Sequence, residues 1–263
     1  MIAAGLLLLS VGVADLARQF LGRGSRSARI GASVVVVLLV AGLGTAVVTW
    51  PLAITLVVIA LAWLALMPST KDAAIASFWP VVGLSIAVVA FVVWAPASAE
   101  GWMAGEAAGS ATVGKTVLAV GVACFLLESA NIVVRVALQS ERSDTSVVAV
   151  TAPVPRRGLI ARLRRPAPPE PAVMTKQLRG GRLIGPLERL FVVGLIFTSA
   201  VALLAAFIAA KGIVRFPEIQ KDNAGGTQAE YFLVGSMASW AIALASAGLL
   251  WAVGATPEGL RIS

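Results

Sequence analysis

Between Arg29 and Lys71 the chain runs for about forty residues without a charged side chain, and three more uncharged stretches follow at 73–99, 190–210 and 231–257. A hydrocarbon core about 30 Å thick is crossed by about 20 apolar residues in a helix. The first stretch is therefore long enough to cross twice and each of the others once. Only closed barrels and helices satisfy their backbone polar groups in lipid, and runs of this length suit helices. The chain reads as an all-α, polytopic helical membrane protein with about seven transmembrane helices.

Composition agrees. Charged residues make up 13% of the 263 residues, against about 25% in a soluble domain, and the mean hydropathy is +0.92. There is no His and one Cys, Cys124. The commonest imidazole base is absent, no intramolecular disulfide can form, and no thiolate cluster can hold zinc. No metal site, cofactor or catalytic constellation is expected. The net charge of +8 does not point to nucleic acid, because most cations flank apolar runs, where anionic lipid and insertion topology account for them.

Seven spans are predicted, at about 2–21, 30–49, 52–68, 75–97, 116–138, 187–210 and 230–253. Trp50-Pro51 separates the second from the third. The first lacks a basic leading segment and carries its arginines after the apolar run, so it is expected to be a retained helix with a translocated N-terminus. Three regions result: an N-terminal five-helix region, 1–138; a basic, proline-rich linker, 139–182; and a C-terminal two-helix hairpin, 183–263. The linker is too poor in apolar residues to build a core and is expected to be a solvated cytoplasmic tether. The stretch 97–115, rich in Gly, Ala and Ser, is expected to be an outer loop.

Basic residues set the orientation. With seven crossings, sixteen Lys or Arg fall on one side and four on the other, with Arg135 inside a span. The excess marks the cytoplasm. The expected location is a bacterial plasma membrane, with the N-terminus outside, the C-terminus inside, and anionic lipids of the cytoplasmic leaflet as partners.

One motif invites a wrong conclusion. The segment from Gly109 to Thr116 reads GSATVGKT and fits the phosphate-loop pattern, with Gly114, Lys115 and Thr116 in the diagnostic places. That motif needs a buried strand before it and a soluble helix after it. Here a small-residue loop precedes it and an apolar span follows, so it reads as coincidence.

The informative residues are the charges inside spans. A charge at mid-bilayer costs about 2.5–3.5 kcal/mol on insertion scales and usually faces a partner or water. Glu128, Asn131 and Arg135 recur at spacings of three and four, on one face of the fifth helix. Asp15 and Arg18 are three apart on the first. Asp15 and Arg135 are expected at similar depths and to pair, or Glu128 to meet a cation from the first or sixth helix. At the far end of the sixth helix, Lys211 and Arg215 share a face on the outer side, near Glu230.

The strings GGRLIGPLERL, AAKGIVRF and AEYFLVGSMASWAIAL resemble the C-terminal membrane region of an uncharacterised bacterial family, a domain of unknown function. Its members carry similar G-x-x-I-G-x-L-E-R, A-A-K-x-x-x-R-F and A-E-Y-x-L-I-G motifs. The likeness covers about the last 75 residues and the ANIVVR stretch. It singles out Gly185, Glu188, Arg189, Lys211, Arg215, Glu230, Tyr231 and Gly235, and it implies no chemistry. The family's N-terminal A-D-F-x-x-Q pattern is accompanied by a His; VADLARQF keeps Asp15 and Gln19 without one.

The expectation is a non-enzymatic binding, assembly or accessory component of a membrane complex, associated with a membrane-protein partner or a second copy of itself. The alternative is a transporter or channel for a small solute, ion or lipid that uses the polar faces of the first and fifth helices.

Overall fold

The structure is a computed structural model and describes residues 1–20, 26–46, 48–67, 78–94, 111–145, 181–220 and 227–255. The described residues are helical: α1 (Ile2–Phe20), α2 (Arg26–Gly44), α3 (Trp50–Leu66), α4 (Trp79–Trp94), α5 (Ala111–Cys124), α6 (Ala130–Thr145), α7 (Gly181–Phe197), α8 (Val201–Gln220) and α9 (Thr227–Ala255). A single π-helical turn, Phe125–Ser129, joins α5 to α6. Three segments, Ile2–Phe20, Val113–Leu138 and Phe232–Gly254, are long and apolar enough to cross a membrane. Ile30–Gly44, Trp50–Leu66, Trp79–Trp94 and Val201–Val214 are shorter apolar helices. Most of the basic linker and most of the expected outer loop lie outside the described residues.

Helix starts follow local chemistry. Thr49 is extended (φ −64°, ψ 149°) and Pro51 occupies the first turn of α3, where its missing N–H removes no intrahelical bond. Trp79-Pro80 opens α4 in the same way.

The least apolar of the predicted spans is the most central. In α1 the buried residues run almost all round the helix, from Ala3 through Leu7, Val11 and Ala14 to Asp15 and Arg18, and α2, α3, α4 and α5 all pack on it. In lipid the apolar side chains can face outward at no cost, so the helix with polar groups takes the interior. Glycines bring the α1 and α5 backbones together. A Cβ at Gly5 would lie 2.7 Å from the Leu118 amide nitrogen, and one at Gly12 2.6 Å from the Cys124 carbonyl carbon. One at Gly121 would collide with the Gly5 carbonyl oxygen. Small residues that let helix backbones touch are the membrane substitute for a hydrophobic driving force. These pairings also set direction. Gly5 meets Leu118 and Gly12 meets Cys124, so α1 and α5 run parallel.

The expected span 187–210 is not one helix. It breaks at Thr198–Ala200, where Ser199 has φ 55°. The Ala200 amide donates to the Leu195 carbonyl and the Ser199 amide to the Ile196 carbonyl, the paired bonds of a Schellman helix end. The chain then doubles back. Phe191 of α7 stacks edge-on against Phe207 of α8 at 5.2 Å, and Lys211 Nζ lies 2.6 Å from Glu188 Oε2. A straight helix would hold those two residues about 35 Å apart at 1.5 Å per residue.

Substituting Ala at Gly12 should force α1 and α5 apart at a cost of about 1–3 kcal/mol, the usual range for overpacking. Gly194→Ala, where nothing lies within 4 Å of the added carbon, should hold or raise stability. Thermal unfolding in detergent, followed by tryptophan emission, compares the two.

Candidate functional site

Two polar clusters meet in the interior. The first is built on α1. Asp15 Oδ2 accepts hydrogen bonds from Trp63 Nε1 at 3.0 Å and from Ser129 Oγ at 2.7 Å. Its Oδ1 lies 3.6 Å from Arg18 Nη1. One carboxylate therefore ties α1 to α3 and to the π turn. Arg18 reaches past Asp15 to the end of α3, donating to the carbonyls of Leu64 and, at 3.4 Å, Met67. These are the carbonyls that a helix end leaves without intrahelical partners, and a cation there is favoured by the macrodipole. Ser33 of α2 donates to the Ala14 carbonyl at 3.1 Å.

The second cluster joins α6, α7, α8 and α9. Glu128 accepts from Asn131 Nδ2 at 3.3 Å and from Arg135 Nη2 at 3.5 Å, the one-face arrangement that the spacing predicts. Arg189, 3% exposed, is its centre. It donates to Ser239 Oγ at 2.9 Å, to Asn131 Oδ1 at 2.7 Å and to the Leu126 carbonyl at 3.3 Å. The π turn makes that last bond available. The Ala130 amide reaches back to Phe125 rather than to Leu126, which frees the Leu126 carbonyl from its usual α-helical partner. Glu188, next to Arg189, takes the Lys211 ammonium, which also lies 5.5 Å from the Trp240 ring centroid.

The expected Asp15–Arg135 pair does not form. Asp15 is level with Ser129, and Arg135 lies six residues further along, about 9 Å at the helical rise. Arg135 therefore turns to Glu128 on its own helix. The cation from the predicted sixth helix does enter the cluster, because Arg189 binds Asn131. Lys211, expected at the opposite end of that helix, is brought into the same neighbourhood by the turn at Ser199. Sequence reading did not find Trp63, Ser129 and Ser239, which sit in apolar runs and carry no charge to mark them.

Of the residues singled out by resemblance, Glu188, Arg189 and Lys211 belong to this network. Gly185 faces Asn131, its added Cβ falling 3.4 Å from Oδ1, and Gly235 faces Leu138 at 3.5 Å. Arg215 lies on α8 and Glu230 and Tyr231 on α9; their side chains lie outside the described residues. In the GSATVGKT segment Gly109 and Ser110 also lie outside them, while residues from Ala111 onward are helical. Gly114 lies inside that helix, beside Ile2, so its amide belongs to a helical turn and not to a phosphate-wrapping loop. Among the described residues no group of three or more Asp, Glu or Cys stands close enough to hold a metal. A shallow apolar groove on α4, lined by Ser85, Ile86, Val89, Ala90, Val93 and Trp94, includes none of the cluster residues.

Comparison with protein-family models, with curated proteins and with solved structures gives no match to this chain.

Double-mutant cycles should separate the pairs. Asp15→Asn and Ser129→Ala should couple, at up to the roughly 1.7 kcal/mol seen for interhelical hydrogen bonds in membranes. Asp15→Asn and Arg135→Gln should add within about 0.5 kcal/mol, as unconnected sites do. Arg189→Leu should cost about 1–3 kcal/mol, because it strands the buried Asn131 and Ser239 partners. Unfolding midpoints in detergent give all three.

Proposed function

We propose that this chain is a non-enzymatic integral protein of a bacterial plasma membrane that binds or assembles with other membrane components, and that its buried charges fix how the helices meet. The observation that carries this reading is the pairing of the interior charges. Asp15 faces Arg18, Glu128 faces Arg135 and Glu188 faces Lys211, while Arg189 is held by Ser239, Asn131 and a carbonyl. A site built to recognise a cationic substrate keeps a carboxylate unmatched until the substrate arrives; here each of the three carboxylates faces a cation of the protein itself. The outward faces are apolar. On α8, Val201, Leu203, Ile213 and Val214 are exposed, and the contact of this helix with α7 and α9 is confined to a stripe through Phe207 and Lys211. Lipid, a membrane-protein partner or a second copy of the chain covers such a surface. The arginines beside the first helix and in the linker suit anionic lipids of the cytoplasmic leaflet. Kinship with the uncharacterised bacterial family is part of the same proposal. It is supported by the convergence of Glu188, Arg189 and Lys211, three of the residues that the resemblance singles out, on one network.

A second reading has its own observation. Single π turns occur often at functional sites, and the one here presents Ser129 to Asp15, whose Oδ1 is buried and accepts no hydrogen bond among the described groups. A proton or small cation taken up at that oxygen would make α1 and α5 a transport path.

Purification in mild detergent with mass spectrometry of bound species tests both. The assembly reading expects a protein partner or a homo-oligomer at fixed stoichiometry, and no flux from liposomes containing the chain alone. A lone monomer that carries protons or solute, with flux abolished by Asp15→Asn or Glu128→Gln, would replace it by the transport reading.

A further inference from the structure

We propose that α7 and α8 form a re-entrant hairpin that enters and leaves the bilayer on the cytoplasmic face. The chain then crosses six times rather than seven, and α9 ends on the outer side, with the N-terminus. The inference rests on the membrane reading and is independent of whether the chain assembles or transports.

Direction can be followed through side-chain pairings. Starting from α1, Gly5 with Leu118 and Gly12 with Cys124 make α5 parallel to it. Asp15 with Trp63 and Arg18 with Met67 bring the ends of α1 and α3 to one level. Gly44, at the end of α2, faces Leu6 near the start of α1, so α2 is antiparallel. That alternation is the one required of successive crossings. Along α7, Gly185 lies by Asn131 and Arg189 reaches back to Leu126, so α7 opposes α6. Along α9, Gly235 lies by Leu138, near the inner end of the fifth span, and Ser239 lies by Arg189 at the Leu126–Asn131 level. Hence α9 also opposes α6. Two helices that both run away from the cytoplasmic end, with α8 between them, require α8 to return to that end.

The turn is built for hydrocarbon. Lipid offers no hydrogen bonds, so exposed irregular backbone is not tolerated at depth. At the tip, the amides of Thr198, Ser199, Ala200 and Val201 donate to the carbonyls of Gly194, Ile196, Leu195 and Ser199. Thr198 Oγ1 donates to Gly194 and Leu195. Four successive amides of the tip are thus met by the turn's own carbonyls. The uncharged arms 190–197 and 201–210 are about 12 Å and 15 Å long at the helical rise, about half of a 30 Å core. Glu188 and Lys211 then tie the two arms together at the level where Arg189 meets Leu126 and Asn131.

Charge distribution supplies an independent argument. Seven crossings leave Lys211, Arg215 and Lys221 outside, against the general bias. Six crossings with a hairpin bring all three to the basic side and move only Arg261 away. The division changes from sixteen against four to eighteen against two, with Arg135 still within a span, which strengthens the asymmetry that governs insertion. Glu188 and Lys211 then belong to helix arms that both open toward the cytoplasmic side.

The test uses the full chain carrying Cys124→Ala, with single cysteines at Gly225→Cys and Gly259→Cys, labelled in intact and lysed cells by a membrane-impermeant maleimide. Ser110→Cys and Ala152→Cys serve as outer and inner references. The hairpin expects Gly259→Cys to label from outside and Gly225→Cys only after lysis. The reverse pattern, or both sites on one side, would overturn it; references that fail to separate would instead refute the membrane reading. Where a site resists labelling, charge reversal decides. Glu188→Lys and Lys211→Glu should each lower the unfolding midpoint and together restore it. A spanning helix that keeps them on opposite faces gives no rescue.

Discussion

A carboxylate surrounded by hydrocarbon must find its donors inside the protein, and Asp15 finds them on two different helices. Trp63 of α3 and Ser129 of the π turn both donate to the same oxygen. That convergence fixes the rotation of α1 about its axis and the depth of α3 and α5 against it. The glycines at 5, 12 and 121 do the complementary work: they remove the side-chain layer between α1 and α5, so the hydrogen bonds can form at all. If α1 were pushed outward by even a methyl group along that seam, Ser129 would draw away from Asp15, and Arg18 would lose its hold on the end of α3. Apolar packing alone cannot supply this registration, because lipid tails solvate Leu and Val as well as another helix does.

The π turn links the two clusters. One extra residue in the turn rotates Glu128 and Ser129 relative to the helix beyond them. Ser129 faces α1, and Asn131 faces α7. The same offset releases the Leu126 carbonyl, which Arg189 takes. A regular helix from 111 to 145 would keep that carbonyl in its own ladder and leave Arg189 one acceptor short. The C-terminal helices are thus fastened to the N-terminal five through a local irregularity as well as through the apolar contacts of α9 with α5 and α6.

Those physical causes also explain what could be read from sequence. The helical class and the placement of α1 to α5 follow from uncharged run lengths and from Trp-Pro pairs, because hydrocarbon admits few alternatives. The grouping of Glu128, Asn131 and Arg135 follows from spacing. The hairpin at Ser199 does not. Helix ends of this kind usually place glycine at the left-handed position, and here serine occupies it, inside an apolar run with no Pro or Gly at the tip. Only Thr198-Ser199 interrupts the hydrophobicity, and a hydroxyl pair is common within spans. The Asp15–Arg135 pair fails for a related reason. Matching depths by counting residues from the ends of runs ignores where two helices touch, and the glycine contacts set that level.

The turn at Ser199 matters beyond its own geometry because topology rules count crossings. One misread crossing reverses the side assigned to every residue after it. Lys211, Arg215 and Lys221 are anomalous when α7 and α8 are counted as one span, and cease to be so in the proposed hairpin. An anomaly in charge bias that begins partway along a chain is therefore evidence about the element just before it. Here the Glu188–Lys211 contact and the antiparallel course of α9 against α6 point to the same element. Three arguments of different origin, one electrostatic, one from side-chain pairing and one from backbone hydrogen bonding at Thr198–Ala200, converge on the same three residues.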